Sequence, residues 1–182
     1  MRPDLGDGLA LVWDYLASAI CDRASPWRTP IVATADGGAD ARVMVLRSAN
    51  RSAARLTFFT DRRAAKCAAL AAPVAAVVWD ARSALQVRLR GTAVLADALA
   101  TRAAWETVPV AARAIYRTIT APGTPAATPE AASAMMPGDG FTTFAVLVIT
   151  VTAIDVLDLG ATPHRRASFI AGDGWAGQWL TP

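Results

Sequence analysis

The stretch LQVRLRGTAVL, residues 85–95, alternates apolar and polar side chains through most of its length. A period of two belongs to a strand with one buried and one exposed face. The central Gly91 predicts a bulge or a close backbone approach. Working outward towards the N-terminus, strand-like segments follow at 74–79, 55–60, 41–48 and 31–34. Ala35-Asp36-Gly37-Gly38 and Ala49-Asn50-Arg51-Ser52 between them are hairpin signals. Towards the C-terminus, 143–152, 166–171 and 174–180 read as strands, the last two separated by an Asp173-Gly174 turn.

Helices fill the remaining length. Leu9, Val12, Trp13, Leu16 and Ile20 repeat at helical spacing over 7–22, with Asp7 as the expected N-cap. Asp61 is expected to cap a short helix from Arg62 to about Ala71, ended by Pro73. Asp97 opens a helix to about Thr107, and Pro109 starts another to about Thr118. Residues 121–140 hold four prolines, three glycines and six alanines, which predicts a long mobile loop. Sequence-adjacent antiparallel strands with helices around them predict one mainly β domain over 1–182, a small antiparallel barrel with peripheral helices, not a doubly wound sheet.

Composition narrows the function. With 182 residues, 54% hydrophobic and 18% charged, the chain can bury one substantial core and is not a disordered segment. The most apolar run, 141–154, is 14 residues long and holds four threonines, whereas a spanning helix needs roughly 20 apolar residues; no membrane association is expected. Asp4 and Asp7 stand where a leader would be basic, and the expected location is the cytoplasm. Cys21 and Cys67 suggest neither a disulfide framework nor a metal site. Net charge is +3, and 17 of the 18 basic residues are arginines spread along strands and turns. That spread argues against nucleic acid and leaves a phosphorylated cofactor as the anionic partner. His164 is the only histidine. Catalysis, if present, therefore calls for a bound cofactor, with the chain supplying position and electrostatics.

Three segments can carry such chemistry. In Arg42-Val43-Met44-Val45-Leu46-Arg47, the arginines either close the rim of a buried strand or reach a ligand. In Phe58-Phe59-Thr60-Asp61-Arg62-Arg63-Ala64-Ala65-Lys66, Arg63 and Lys66 share a face at the start of the expected helix. They form either a solvated basic face or, with the helix end, a phosphate site. Gln86, Arg88 and Arg90 share one face of their strand, which is either simply exposed or offers Gln86 to the edge of a planar ring.

In order and spacing these segments resemble the pyridoxamine 5′-phosphate oxidase-like family of FMN-binding split barrels. The matching patterns are R-x-V-x-L-R at Arg42 to Arg47, F-F-T-D-x-R-x-x-K at Phe58 to Lys66 and Q-V-R-x-x-G at Gln86 to Gly91, followed by His164-Arg165-Arg166 before a strand. The resemblance implies a split barrel forming a homodimer, with FMN in the cleft between subunits. It implies that Arg42, Val43, Met44, Val45, Leu46 and Arg47 line the flavin, with Phe59 and Thr60 in the same wall. Arg63 and Lys66 would take the phosphate, Gln86 would come from the partner subunit, and Arg166 would stand near the ring or tail. The implied activity is FMN-dependent oxidoreduction of a small molecule. The alternatives are a true pyridoxamine 5′-phosphate oxidase, a non-catalytic flavin-binding protein, or a barrel for haem or a deazaflavin, with His164 the one available haem ligand. The chain departs from the family at Ala64, where serine is common, and at Leu157, where the oxidases place a tryptophan. It departs again at Trp105 to Pro109, where they bind substrate phosphate. Arg113 and Arg117 are the residues that could restore such a phosphate site.

Overall fold

The computed structural model describes residues 5–35, 39–68 and 73–182. Helix α1 (Leu5–Ala19) leads into strands β1 (Ile31–Ala35), β2 (Ala39–Val43), β3 (Leu46–Asn50), β4 (Arg55–Asp61), β5 (Pro73–Asp80) and β6 (Leu85–Leu95). Helices α2 (Ala98–Glu106), α3 (Val110–Arg113) and α4 (Pro129–Ala132) follow, then β7 (Phe144–Asp158), β8 (Arg165–Ile170) and β9 (Gly177–Leu180). Every described ladder is antiparallel.

The strand order explains how the sheet closes. It runs β2-β1-β5-β6-β7-β4-β3, with β8 and β9 added beyond β7. The two ends of that row, β2 and β3, are consecutive in the chain and separated only by Met44 and Val45. A two-residue link cannot span a flat seven-stranded sheet, so the sheet must curl until its edges meet. No described ladder joins β2 to β3, and the barrel stays split along this seam. The expected single strand over 41–48 is therefore two strands on opposite edges. The Met44 N–H donates to Pro30 O at 3.0 Å, which fixes the crossing point.

Side-chain alternation fills the barrel. Leu85, Val87, Leu89 and Ala93 of β6 point inward to meet Val74, Ala76, Val78, Leu147 and Ile154, and α1 adds Val12, Trp13 and Leu16. Gly91 sits at a register shift against β7, as its position predicted. A Cβ there would lie 2.0 Å from the Thr150 carbonyl oxygen, so only glycine fits. A second cluster lies outside the barrel, where Trp105, Val108 and Tyr116 from the helical segment pack on Phe144 and Val146 of β7. Phe144 is its hub, with ring centroids 4.9 Å from Trp105, 5.0 Å from Tyr116 and 5.1 Å from Phe59.

Several expected elements differ. α1 begins at Leu5, so Asp7 lies in its first turn and is not the N-cap. The helix expected from Arg62 is absent over the described residues, where only a 3₁₀ turn forms at Ala65–Cys67; residues 69–72 lie outside them. Asp61 does not cap: it is the last residue of β4, and its Oδ1 accepts the Arg63 N–H at 2.8 Å. Asp97 does cap α2, accepting the Ala100 N–H at 2.8 Å. The helix after Pro109 is only α3 and a 3₁₀ turn, Ala114–Tyr116. β7 runs six residues past its expected end. The Ala35–Gly38 turn falls mostly outside the described residues, whereas the Asp173-Gly174 turn is present, with Gly174 left-handed at φ 62°. Segment 121–140 contains α4, whose N-terminus Thr128 caps, and is tied at its base by a Thr118–Met135 bridge.

Candidate functional site

The seam gathers most of the expected site residues. Val43 and Val45 are exposed there, while Met44 and Leu46 turn into the core. Arg42, at the end of β2, donates to Thr34 Oγ1 at 2.9 Å and Val32 O at 3.3 Å and pairs with Asp40. Arg47 sits at a bulge, because the β3–β4 register shifts between Leu46 and Ser48. Bulges re-aim side chains, and the Arg47 guanidinium lies 5.1 Å from the centroid of the Phe59 ring. Thr60 is buried beside them.

Arg63 and Lys66 separate in role. The Arg63 Nε and Nη2 hold both oxygens of the buried Asp61, at 3.0 and 2.7 Å. Its Nη1 and Nη2 also reach the Ile119 and Thr118 carbonyl oxygens, each at 3.0 Å. Four of the five guanidinium N–H groups are thus committed to the protein, and the residue clamps the segment before the 121–140 excursion onto the end of β4. Lys66 has no ion pair or hydrogen bond among the described residues. Burial, foremost, pushes its ammonium below the ordinary lysine range; the Arg42 charge acts in the same direction, while Asp61 and Asp40 oppose it. A half-buried ammonium near the Arg42 charge and without a hydrogen-bond partner among the described residues suits an anion such as a phosphate.

Gln86 and Arg166 lie elsewhere. They flank Leu157 in one cross-strand row over β6, β7 and β8. Thr60 pairs with Ala145 near the other end of β7. The twelve positions from Ala145 to Leu157 correspond to about 40 Å of strand, so Gln86 lies far from the Thr60 end of β7. Arg166 forks onto Asp155 at 2.9–3.3 Å, and Arg88 joins the same carboxylate at 3.0 Å. The row through Gln86 continues as an outward-facing apolar strip, with Trp79 opposite Gln86, then Val77, Ile31 and Val43. Trp79, Ile31 and Val43 are exposed by 47–64%. His164 is exposed beside Arg165 and Arg166 at a shallow cavity of about 250 Å³.

Two further hollows bear on the site. An open apolar groove of about 540 Å³ crosses the outside of β1, β5 and β6 and holds none of the expected site residues. A more enclosed cavity of about 410 Å³ lies between the end of α1, the β3–β4 hairpin and residues 107–116, with Leu46, Arg47, Phe59 and Tyr116 in its wall. Sequence reasoning did not single out Tyr116; only the fold carries it to Phe59. Trp105 packs the helical segment onto the barrel, and its Nε1 donates to Asp139 at 3.2 Å.

Nine antiparallel strands, closed across an unladdered seam, define a split β-barrel. A family model described as pyridoxamine 5′-phosphate oxidase, FMN-binding domain, matches residues 12–97. A pyridoxamine 5′-phosphate oxidase-related, FMN-binding protein from Nostoc punctiforme is 21% identical, with a TM-score of 0.77 over 100% of this chain and 99% of its own. PhzG from Burkholderia lata, solved in complex with tetrahydrophenazine-1-carboxylic acid, is 18% identical, with a TM-score of 0.79 over 100% and 98%. No curated protein sequence matches. Residues 12–97 match that FMN-binding family model, and the whole chain shares the split-barrel fold of these structures. Among the described residues no helix is long and apolar enough to cross a membrane.

Proposed function

We propose that the chain binds FMN at the barrel seam, in the cleft of a homodimer, and acts as an oxidoreductase on a small molecule other than phosphorylated pyridoxine. The observation that carries this reading is Lys66, a half-buried ammonium with no protein anion hydrogen-bonded to it, set near Arg42 at the seam where Val43 and Val45 are exposed. Lys66 takes the phosphate in this account. Arg63 holds the loop that shapes the site. Bound FMN supplies two-electron redox chemistry. The chain's own residues bind its phosphate, present main-chain groups of 43–45 to its ring, and place Arg47 and Phe59 beside it.

The separation of Gln86 and Arg166 from Thr60 supports the homodimer. Gln86 and Arg166 stand at the end of an exposed apolar strip that runs to Val43 at the seam. Two copies packed strip against strip, related by a two-fold axis, give each seam its partner's Gln86. The likeness to PhzG, solved with tetrahydrophenazine-1-carboxylic acid, supports a ring-bearing organic substrate. Chain purified, incubated with excess FMN and desalted should retain the visible bands of flavin at one per chain. A colourless protein after desalting contradicts the proposal.

A further inference from the structure

The 410 Å³ cavity beside the seam falls within the roughly 300–1,000 Å³ of small-molecule sites. Its walls are largely apolar: Phe59 and Tyr116 each pack edge-on against Phe144, and Leu46, Val108 and Ile115 complete them. The charged residues in the lining are Arg23, Arg28 and Arg47, and no acidic side chain contributes. Arg28 is anchored at the end of α1, where its Nη1 donates to the Ala19 and Ile20 carbonyls. Arg23 is exposed at the rim, where it attracts anions without gripping them. Thr107 is spent on Ala104 O at 2.7 Å. Arg47 and Tyr116, both in the lining, make no side-chain hydrogen bond among the described residues. Burial raises the phenol above the ordinary tyrosine range, while the Arg47 charge acts the other way. At neutral pH the hydroxyl is therefore a donor. One guanidinium fork and one phenol suit the two oxygens of a carboxylate. They are a thin set for a phosphate dianion. Arg113 is bound to the Val108 and Trp105 carbonyls at 3.0 and 3.2 Å, and Arg117 to Met136 O at 3.1 Å.

We propose that this cavity binds a flat, apolar monocarboxylate, with Arg47 and Tyr116 holding the carboxylate and Phe59 lying along the ring. The inference rests on the flavin reading, because Leu46, Arg47 and Phe59 belong to both walls and would set the ligand beside the flavin. Calorimetry on the full chain, with and without FMN, tests it. The probes are 1-naphthoate, neutral 1-naphthalenemethanol and 1-naphthyl phosphate. 1-Naphthoate should bind best of the three. Arg47→Gln should weaken it about 10- to 100-fold. Tyr116→Phe, which keeps the packed ring, should weaken it about 3- to 10-fold. Ala112→Phe, placed on an exposed lining position, should fill the cavity and abolish 1-naphthoate binding while FMN affinity, measured by quenching of flavin fluorescence, holds. The inference is overturned if the alcohol or the phosphate binds as tightly as the carboxylate, or if Ala112→Phe leaves carboxylate affinity unchanged. Loss of FMN binding with retained 1-naphthoate binding to the flavin-free chain would strike the flavin reading alone.

Discussion

Lys66→Ala should weaken FMN binding by about 1.5–3 kcal/mol, roughly 10- to 150-fold, without lowering the thermal stability of the flavin-free chain. Its ammonium is half-buried and hydrogen-bonded to nothing among the described residues, so its removal costs the empty fold little. Riboflavin, which lacks the phosphate, should bind wild type and variant alike. Arg63→Ala should behave differently. It strips Asp61 of its guanidinium partner and frees the Thr118 and Ile119 carbonyls. The Asp61 carboxylate is only 6% exposed, and breaking such a pair costs about 3 kcal/mol of folding stability. The pH dependence follows from the depressed Lys66 pKa. The lysine contributes to phosphate binding while protonated, so the gap between wild type and Lys66→Ala should close as pH rises, and should do so below the 10.5 of an ordinary lysine. Fluorescence titrations at several pH values, with unfolding melts on both variants, check this. An unchanged FMN affinity in Lys66→Ala would move the phosphate elsewhere.

Pyridoxine 5′-phosphate should be turned over at a kcat/KM well below the ~10⁴ M⁻¹s⁻¹ lower end of ordinary enzymes. A phosphorylated substrate needs an anion site of its own, apart from the one that holds the FMN phosphate. Arg113 and Arg117, the two residues able to provide it, are turned onto backbone carbonyls. Arg113 also stacks 4.8 Å from the Trp105 ring centroid, so freeing it would unmake the packing of the helical segment. Each charged hydrogen bond that the substrate phosphate fails to make forgoes roughly 1.5–3 kcal/mol, about 10- to 100-fold in affinity. Steady-state assays under air, following peroxide, decide the point, and efficient turnover would make the chain a true pyridoxine phosphate oxidase.

Where structure is governed by local alternation, the sequence was legible. β6 occupies 85–95 as read, and its glycine marks the bulge. Where structure depends on what lies across the sheet, it was not. Alternation carries through Met44 and Val45 without a turn residue, so nothing local reveals that the chain changes edges there. Asp155 interrupts the apolar run of β7, and its place in a strand makes sense only with Arg88 and Arg166 beside it. Asp61 followed by basic residues has the chemistry of a helix N-cap, but the same oxygen serves equally in a turn that pins Arg63. The segment 42–66 stood out through its motifs, yet the contacts that commit Arg63 to the protein come from Thr118 and Ile119, more than fifty positions away. Trp105, which could have formed a substrate wall, is a packing residue. The cavity wall comes from Tyr116, which no local pattern distinguished.

The central claim is that FMN binds at a site shared by two copies of the chain. Sedimentation velocity, followed at the visible band of flavin, tests it most directly at micromolar chain with equimolar FMN. The account predicts one boundary carrying the flavin at twice the 19.0 kDa chain mass. It also predicts that Trp79→Glu, which puts a charge on the apolar strip, shifts the chain to monomer and releases the flavin with it. Flavin that sediments with a monomer, or that stays behind while the protein sediments, contradicts the account.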